Sequence, residues 1–136
     1  MERLTQFRQL LTEGKFDGFV ITSPASRRYL SGFTGSSGVL VINREEAVLL
    51  TDFRYLDQAT EEVKDFGFKV KEHDPQVWGT VAAEIGKICS GGRSRWGFES
   101  EHLVEKNYRA LSGQMECCVL TPTEGFVNRL RRRQSA

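Results

Sequence analysis

Tyr29-Leu-Ser-Gly-Phe-Thr-Gly-Ser-Ser-Gly38 runs straight into the apolar stretch Val39-Leu-Val-Ile42, and a few residues on the chain reads Ala47-Val-Leu-Leu-Thr-Asp-Phe-Arg-Tyr55. The two apolar stretches read as strands. The polar turn Asn43-Arg-Glu-Glu46 joins them into the strongest hairpin signal in the chain. A Gly/Ser-rich turn therefore enters the first strand, and an Asp-x-Arg-Tyr corner ends the second. Gly32, Gly35 and Gly38 let the backbone take positive φ or approach a ligand or another chain closely.

Working outward, residues 2–13 place Leu4, Phe7, Leu10 and Leu11 on one helical face, with Gly14 as a stop. Residues 18–22 form a short buried strand. Ser23-Pro24 then gives an N-cap followed by proline at the first position of a short helix over 24–30. Residues 55–65 read as helix and 68–71 as strand. Asp74-Pro75 predicts a second cap, opening a helix with Trp78, Val81, Ile85 and Ile88 on one stripe and closing at Ser90-Gly-Gly92. A strand over 95–98, a helix capped by Ser100 and carrying Val104, Tyr108 and Leu111, a strand over 116–120 and a last helix from Thr123 complete the chain. Strands alternate with helices around one hairpin, which predicts an α/β domain of three layers with a mixed central sheet.

At 136 residues the chain fits one domain, and 39% hydrophobic with 27% charged residues is ordinary for a globular protein. A net charge of +1 supplies no global field favouring nucleic acid or acidic membranes. The apolar runs fall far short of the roughly 20 residues that cross a bilayer. The N-terminus lacks the apolar core of a signal peptide, so a cytoplasmic location is expected. Cys89 stands alone and Cys117-Cys118 are adjacent, which matches neither a disulfide framework nor paired zinc ligands. Inert thiols are the favoured reading, with a redox or metal role as the alternative.

In order and spacing, residues 29–55 resemble the N-terminal domain of the Xaa-Pro peptidase, prolidase and creatinase family, and the resemblance extends from Met1 to about Leu130. It implies a small domain whose mixed sheet is ribonuclease H-like. It also implies that catalysis belongs to a separate C-terminal domain holding dinuclear Mn, Zn or Co, with no cofactor bound by this chain. The Gly-Phe-Thr-Gly-Ser-Ser-Gly form looks like the peptidase branch rather than the creatine-hydrolysing one. In the family's dimers this loop region reaches the neighbouring subunit's active site. Phe33 is then expected at the surface as an apolar pocket wall, with Gly35, Ser36 and Ser37 as close-approach or polar positions and Arg54 and Tyr55 as further pocket or interface residues. The implied partners are the protein's own catalytic domain, a second subunit and short proline-containing peptides. Neither nucleic acid nor membrane is among them.

The residues support that division of labour. The Gly/Ser loop leads into a strand without a lysine, so it lacks a phosphate-binding loop's Gly-Lys-Ser/Thr and following helix. It is a turn, or a turn that also lines a binding surface. Asp52 reads as a structural corner, a carboxylate that caps the next helix or pairs with a nearby guanidinium, with substrate contact across a dimer interface as the alternative for this stretch. His73 and His102 read as surface residues, and nothing nearby completes a metal site. The expected strands carry Glu116 and little else acidic, against nuclease chemistry. The arginines from Arg129 to Arg133 read as a solvated face on a linker helix. Residues 1–122 are thus expected to form the domain, and 123–136 the start of a linker, poorly ordered beyond Leu130. A free-standing binding module that kept the fold is the rival reading.

Overall fold

The computed structural model describes residues 2–89, 93–116 and 118–135. In chain order the elements are α1 (Glu2–Glu13), β1 (Gly18–Ile21), α2 (Pro24–Ser31), β2 (Val39–Asn43) and β3 (Ala47–Thr51). A 3-10 turn (Phe53–Tyr55) precedes α3 (Leu56–Val63), β4 (Lys69–Glu72) and α4 (Val77–Ile88). Then follow β5 (Ser94–Glu99), α5 (Glu105–Ser112), β6 (Cys118–Thr123) and α6 (Phe126–Ser135). The six strands form one sheet in the order β4-β3-β2-β1-β5-β6. β1, β2 and β3 pair antiparallel, whereas β4, β5 and β6 each join in parallel. The mixed three-layer architecture is the expected one.

Alternation along the inner strands explains why they read as unbroken apolar runs. Phe19, Ile21, Leu40, Ile42 and Leu49 face a layer containing α1, α3 and α6. Val20, Val41, Val48, Leu50, Trp96 and Phe98 face α4 and α5. Both faces of the sheet are covered, so each side chain of a central strand is buried whichever way it points.

Several helix ends differ from expectation. Lys15, at φ 60°, takes the left-handed position after α1 rather than Gly14. The Asp74 carboxylate accepts from the Gln76 amide at 2.8 Å, a local turn, and α4 begins only at Val77. The Ser100 hydroxyl donates to the Thr123 carbonyl at 2.8 Å, tying the ends of β5 and β6, while α5 starts after Val104. The expected stop at Ser90-Gly-Gly92 lies outside the described residues. Glu116 precedes β6 instead of opening it. Pro122 fits there because β6 is an edge strand.

α6 begins at Phe126, not Thr123, and is helical beyond Leu130, through Ser135. Phe126, Val127 and Leu130 are buried in the core beside α1, and the Phe126 ring stacks on Phe19 at 4.7 Å between centroids. The arginine run is also engaged: the Arg133 guanidinium donates to both Glu13 oxygens at 2.6 and 3.1 Å, and Arg131 donates to the Ala25 carbonyl at 3.1 Å. The same side chains that suggested a solvated face pin the helix to its neighbours.

Candidate functional site

Two constellations separated in sequence, the loop after α2 and the corner after β3, meet at the same end of the sheet. α2 starts where Ser23 accepts a hydrogen bond from the Ser26 amide at 3.2 Å, with Pro24 at its first position. It stops at Gly32, whose φ of 78° and 2.8 Å bond to the Arg28 carbonyl turn the chain into the loop. A Cβ at Gly32 would also press on the Phe66 ring at 2.7 Å. Here the glycine is required twice over.

Phe33 departs from expectation. It is only 1% exposed and belongs to the core, its ring edge-on to Tyr55 at 5.9 Å between centroids. Gly35 folds directly over that ring: a Cβ there would lie 2.2 Å from the Phe33 Cζ. Phe33 therefore anchors the loop from inside and is no surface wall. The exposed aromatic is Phe53, at 71%, on the apex of the neighbouring corner.

The loop's unpaired carbonyls are held by a residue the sequence reading did not single out. Arg27, only 3% exposed, donates to the Gly35 carbonyl at 2.8 Å and the Gly38 carbonyl at 3.0 Å. Burial lowers its pKa, and the nearby Glu99 carboxylate partly offsets this. The loop's outer side is fixed by Glu62 of α3, which accepts from the Thr34 amide and hydroxyl, each at 2.8 Å. Burial disfavours the charged form of Glu62, but the two Thr34 bonds, Gln58 and nearby Arg28 outweigh it and hold the carboxyl below its usual range.

The corner closes onto this loop. The Tyr55 and Ser36 hydroxyls lie 2.6 Å apart, and Thr51 donates to the Ser37 carbonyl at 2.6 Å. Asp52 caps the 3-10 turn through the Arg54 amide at 3.0 Å. It also receives the Arg54 side chain in a two-point pair at 3.1 and 2.9 Å. The hydrogen bond from Arg54 holds the Asp52 carboxyl below the usual carboxylate range and raises the guanidinium in turn. Ser36, Phe53 and Arg54 are exposed, Ser37 and Tyr55 half-buried, and Gly35 buried. Ser36, Phe53, Arg54 and Tyr55 thus form a pre-arranged aromatic and cationic surface.

A buried acid was missed as well. Glu99, at the end of β5 and 6% exposed, accepts from the Thr22 and Ser23 amides at 3.0 and 2.9 Å and from the Ser23 and Ser26 hydroxyls at 3.0 and 2.6 Å. Three of the four donors come from the turn between β1 and α2 and the fourth from the first turn of α2, so its role is to clamp the entry to that helix. His73 is buried, against expectation, because its backbone N–H bonds the Thr51 carbonyl at 2.9 Å and its ring Nδ1 faces the Asp74 carbonyl. His102 is exposed, its Nδ1 3.3 Å from the Thr22 hydroxyl. Among the described residues no group of three or more His, Cys, Asp or Glu side chains could hold a metal ion. The donor set here does not fit a dinuclear metal centre. Nor is any helix among the described residues long and apolar enough to cross a membrane.

Residues 3–133 match the sequence profile of the creatinase/prolidase N-terminal domain. The chain is 36% identical over 129 residues to an uncharacterised peptidase, YqhT, of Bacillus subtilis, covering 95% of this chain and 35% of that protein. It is likewise 36% identical over 104 residues to a probable Xaa-Pro aminopeptidase P of Aspergillus niger, covering 64% of this chain and 17% of that one. A Xaa-Pro dipeptidase of Bacillus anthracis superposes with a TM-score of 0.86 at 31% identity, over 96% of this chain and 35% of that one. The isolated N-terminal domain of the cytoplasmic peptidase PepQ of Mycobacterium tuberculosis superposes at 0.82 and 29% identity, over 96% and 98% of the two chains. The chain spans about a third or less of these curated relatives, in which such a domain is the N-terminal part. With its mixed sheet, Gly/Ser loop and Asp-x-Arg-Tyr corner, the chain belongs to the creatinase/prolidase N-terminal domain family of Xaa-Pro peptidases.

Proposed function

We propose that this chain is the non-catalytic N-terminal domain of a metal-dependent Xaa-Pro dipeptidase or aminopeptidase. It supports dimerisation and shapes the substrate pocket of the neighbouring subunit. Residues 123–136 lead on to the catalytic domain, where a dinuclear Mn, Zn or Co centre binds short proline-containing peptides. A cytoplasmic location is part of this reading, supported by the description of the Mycobacterium neighbour as a cytoplasmic peptidase.

The carrying observation is the surface formed by exposed Ser36, Phe53 and Arg54 with half-buried Tyr55, fixed from behind by buried Phe33 and Arg27. A mobile loop would lose conformational entropy when it docks; one already fastened to its own core loses little. Phe53 replaces Phe33 as the apolar contact. Arg54 keeps outward-facing donors beyond its pair with Asp52, suited to a peptide carboxylate or carbonyl.

Two assays test the reading. The isolated chain, given a Xaa-Pro dipeptide with excess Mn²⁺ or Co²⁺, is expected to show no turnover. In the full-length protein, the double variant Phe53→Ala/Arg54→Ala should lower kcat/KM tenfold or more while the isolated domain keeps its melting temperature. Turnover by the rigorously purified chain, or unchanged kcat/KM in the variant, would reject it.

A further inference from the structure

Cys89 and Cys118 come from elements far apart in sequence. Cys89 follows α4 as its C-cap, its backbone N–H still bonded to the Ile85 carbonyl at 2.9 Å, and Cys118 opens the edge strand β6. Their Sγ atoms lie 3.6 Å apart and both side chains are half-buried. The Ser94 hydroxyl, on β5, is 2.9 Å from the Cys89 Sγ. A cleft of about 280 Å³, lined in part by Asp17, Arg44, Glu45, Arg93 and Ser94, reaches Cys89. A second cleft of about 280 Å³, lined in part by Gln114 and Met115, reaches Cys118. Two sulfurs in van der Waals contact need to approach by only about 1.5 Å to reach disulfide length.

We propose that Cys89 and Cys118 are a peroxide-sensitive dithiol, a modification site that closes reversibly into a disulfide fastening the end of α4 to the start of β6. The Cys89 thiolate attacks one oxygen of hydrogen peroxide. The O–O bond breaks, leaving Cys89 as a sulfenic acid and releasing hydroxide, which takes up a proton as water. The Cys118 thiolate then attacks the Cys89 sulfur; the S–S bond forms, the S–O bond breaks and a second water departs. Two thiols give up two electrons and the peroxide is reduced to two waters. Cys89 is the first to react because the Ser94 hydroxyl can donate to its thiolate, a hydrogen bond that stabilises the nucleophilic form.

The test uses the 136-residue chain, reduced and folded, exposed to hydrogen peroxide, alkylated and mapped by mass spectrometry. The expected result is one Cys89–Cys118 cross-linked peptide, loss of two thiol hydrogens and full reversal by dithiothreitol. Cys117→Ser should leave the cross-link intact, whereas Cys89→Ser or Cys118→Ser should abolish it. Closing the loop 90–117 should also raise the melting temperature by roughly 5–10 °C. Mapping of the unsubstituted chain decides the matter even if a variant fails to fold. Oxidation of Cys89 without a cross-link, a cross-link through Cys117, or the same cross-link at the same rate in the urea-unfolded chain would overturn the proposal.

Discussion

The Phe33 ring sits beneath Gly35 and against Tyr55, and its exposure of 1% makes it a packing residue. Phe33→Ala in the isolated domain should cost about 3–5 kcal/mol in denaturant unfolding, the usual range for truncating a buried phenylalanine. A loss under about 1 kcal/mol would return the ring to the surface. Sequence alone could not assign this, because periodicity ends where the loop begins and a single aromatic among glycines has no face to be read from. The nearby Gly35 was the available clue, since it is a residue over which a ring can pack. Asp52 was more legible: a carboxylate two residues before an arginine at a strand end has few partners nearer. Its pKa is depressed by Arg54, so its contribution to stability is present above the unfolded value of about 3.9 and fades as pH falls through the lower folded value. Carboxyl NMR titration should place Asp52 below the usual range, and Arg54→Ala should raise it towards that range. No change on removing Arg54 would refute this assignment. The effect on stability should be small, because the Arg54 side chain is 65% exposed.

Capping residues show both the reach and the limit of sequence at the scale of elements. Ser23 was readable because Pro24 fixes the first helical position immediately after it. Asp74 and Ser100 are the same residue types, yet one closes a local turn and the other bonds the Thr123 carbonyl. A short polar side chain announces a backbone hydrogen bond, not which backbone group will share it. α6 is the instructive failure. Its arginines read as a solvated face because Glu13 and the Ala25 carbonyl lie more than a hundred residues earlier in the chain. Hydrogen exchange should show protected amides through Arg129 and Leu130 and on to Arg133. Leu130→Ala should lower stability by about 2–5 kcal/mol, because its side chain is fully buried against the core. Rapid exchange throughout 126–133 would contradict docking of α6.

For the whole molecule, the mixed sheet was legible because continuous apolar strands such as Val39–Ile42 can be satisfied only when both faces are covered. The clamp of Glu99 on the β1–α2 turn was not legible, since four donors converge on it from more than 70 residues away. The same holds for the approach of the Gly/Ser loop to the Asp-x-Arg-Tyr corner, which exists only once β2 and β3 have paired. That shared surface is the basis for proposing service to a neighbouring subunit, and subunit mixing tests it directly. One full-length protein carries Phe53→Ala/Arg54→Ala with an intact catalytic domain; the other carries an intact N-terminal surface with its metal ligands removed. Each alone should be nearly inactive towards a Xaa-Pro dipeptide. If the surface acts across the dimer, mixed dimers regain activity approaching that of one normal site for each dimer. If mixing restores nothing, the surface does not serve its neighbour.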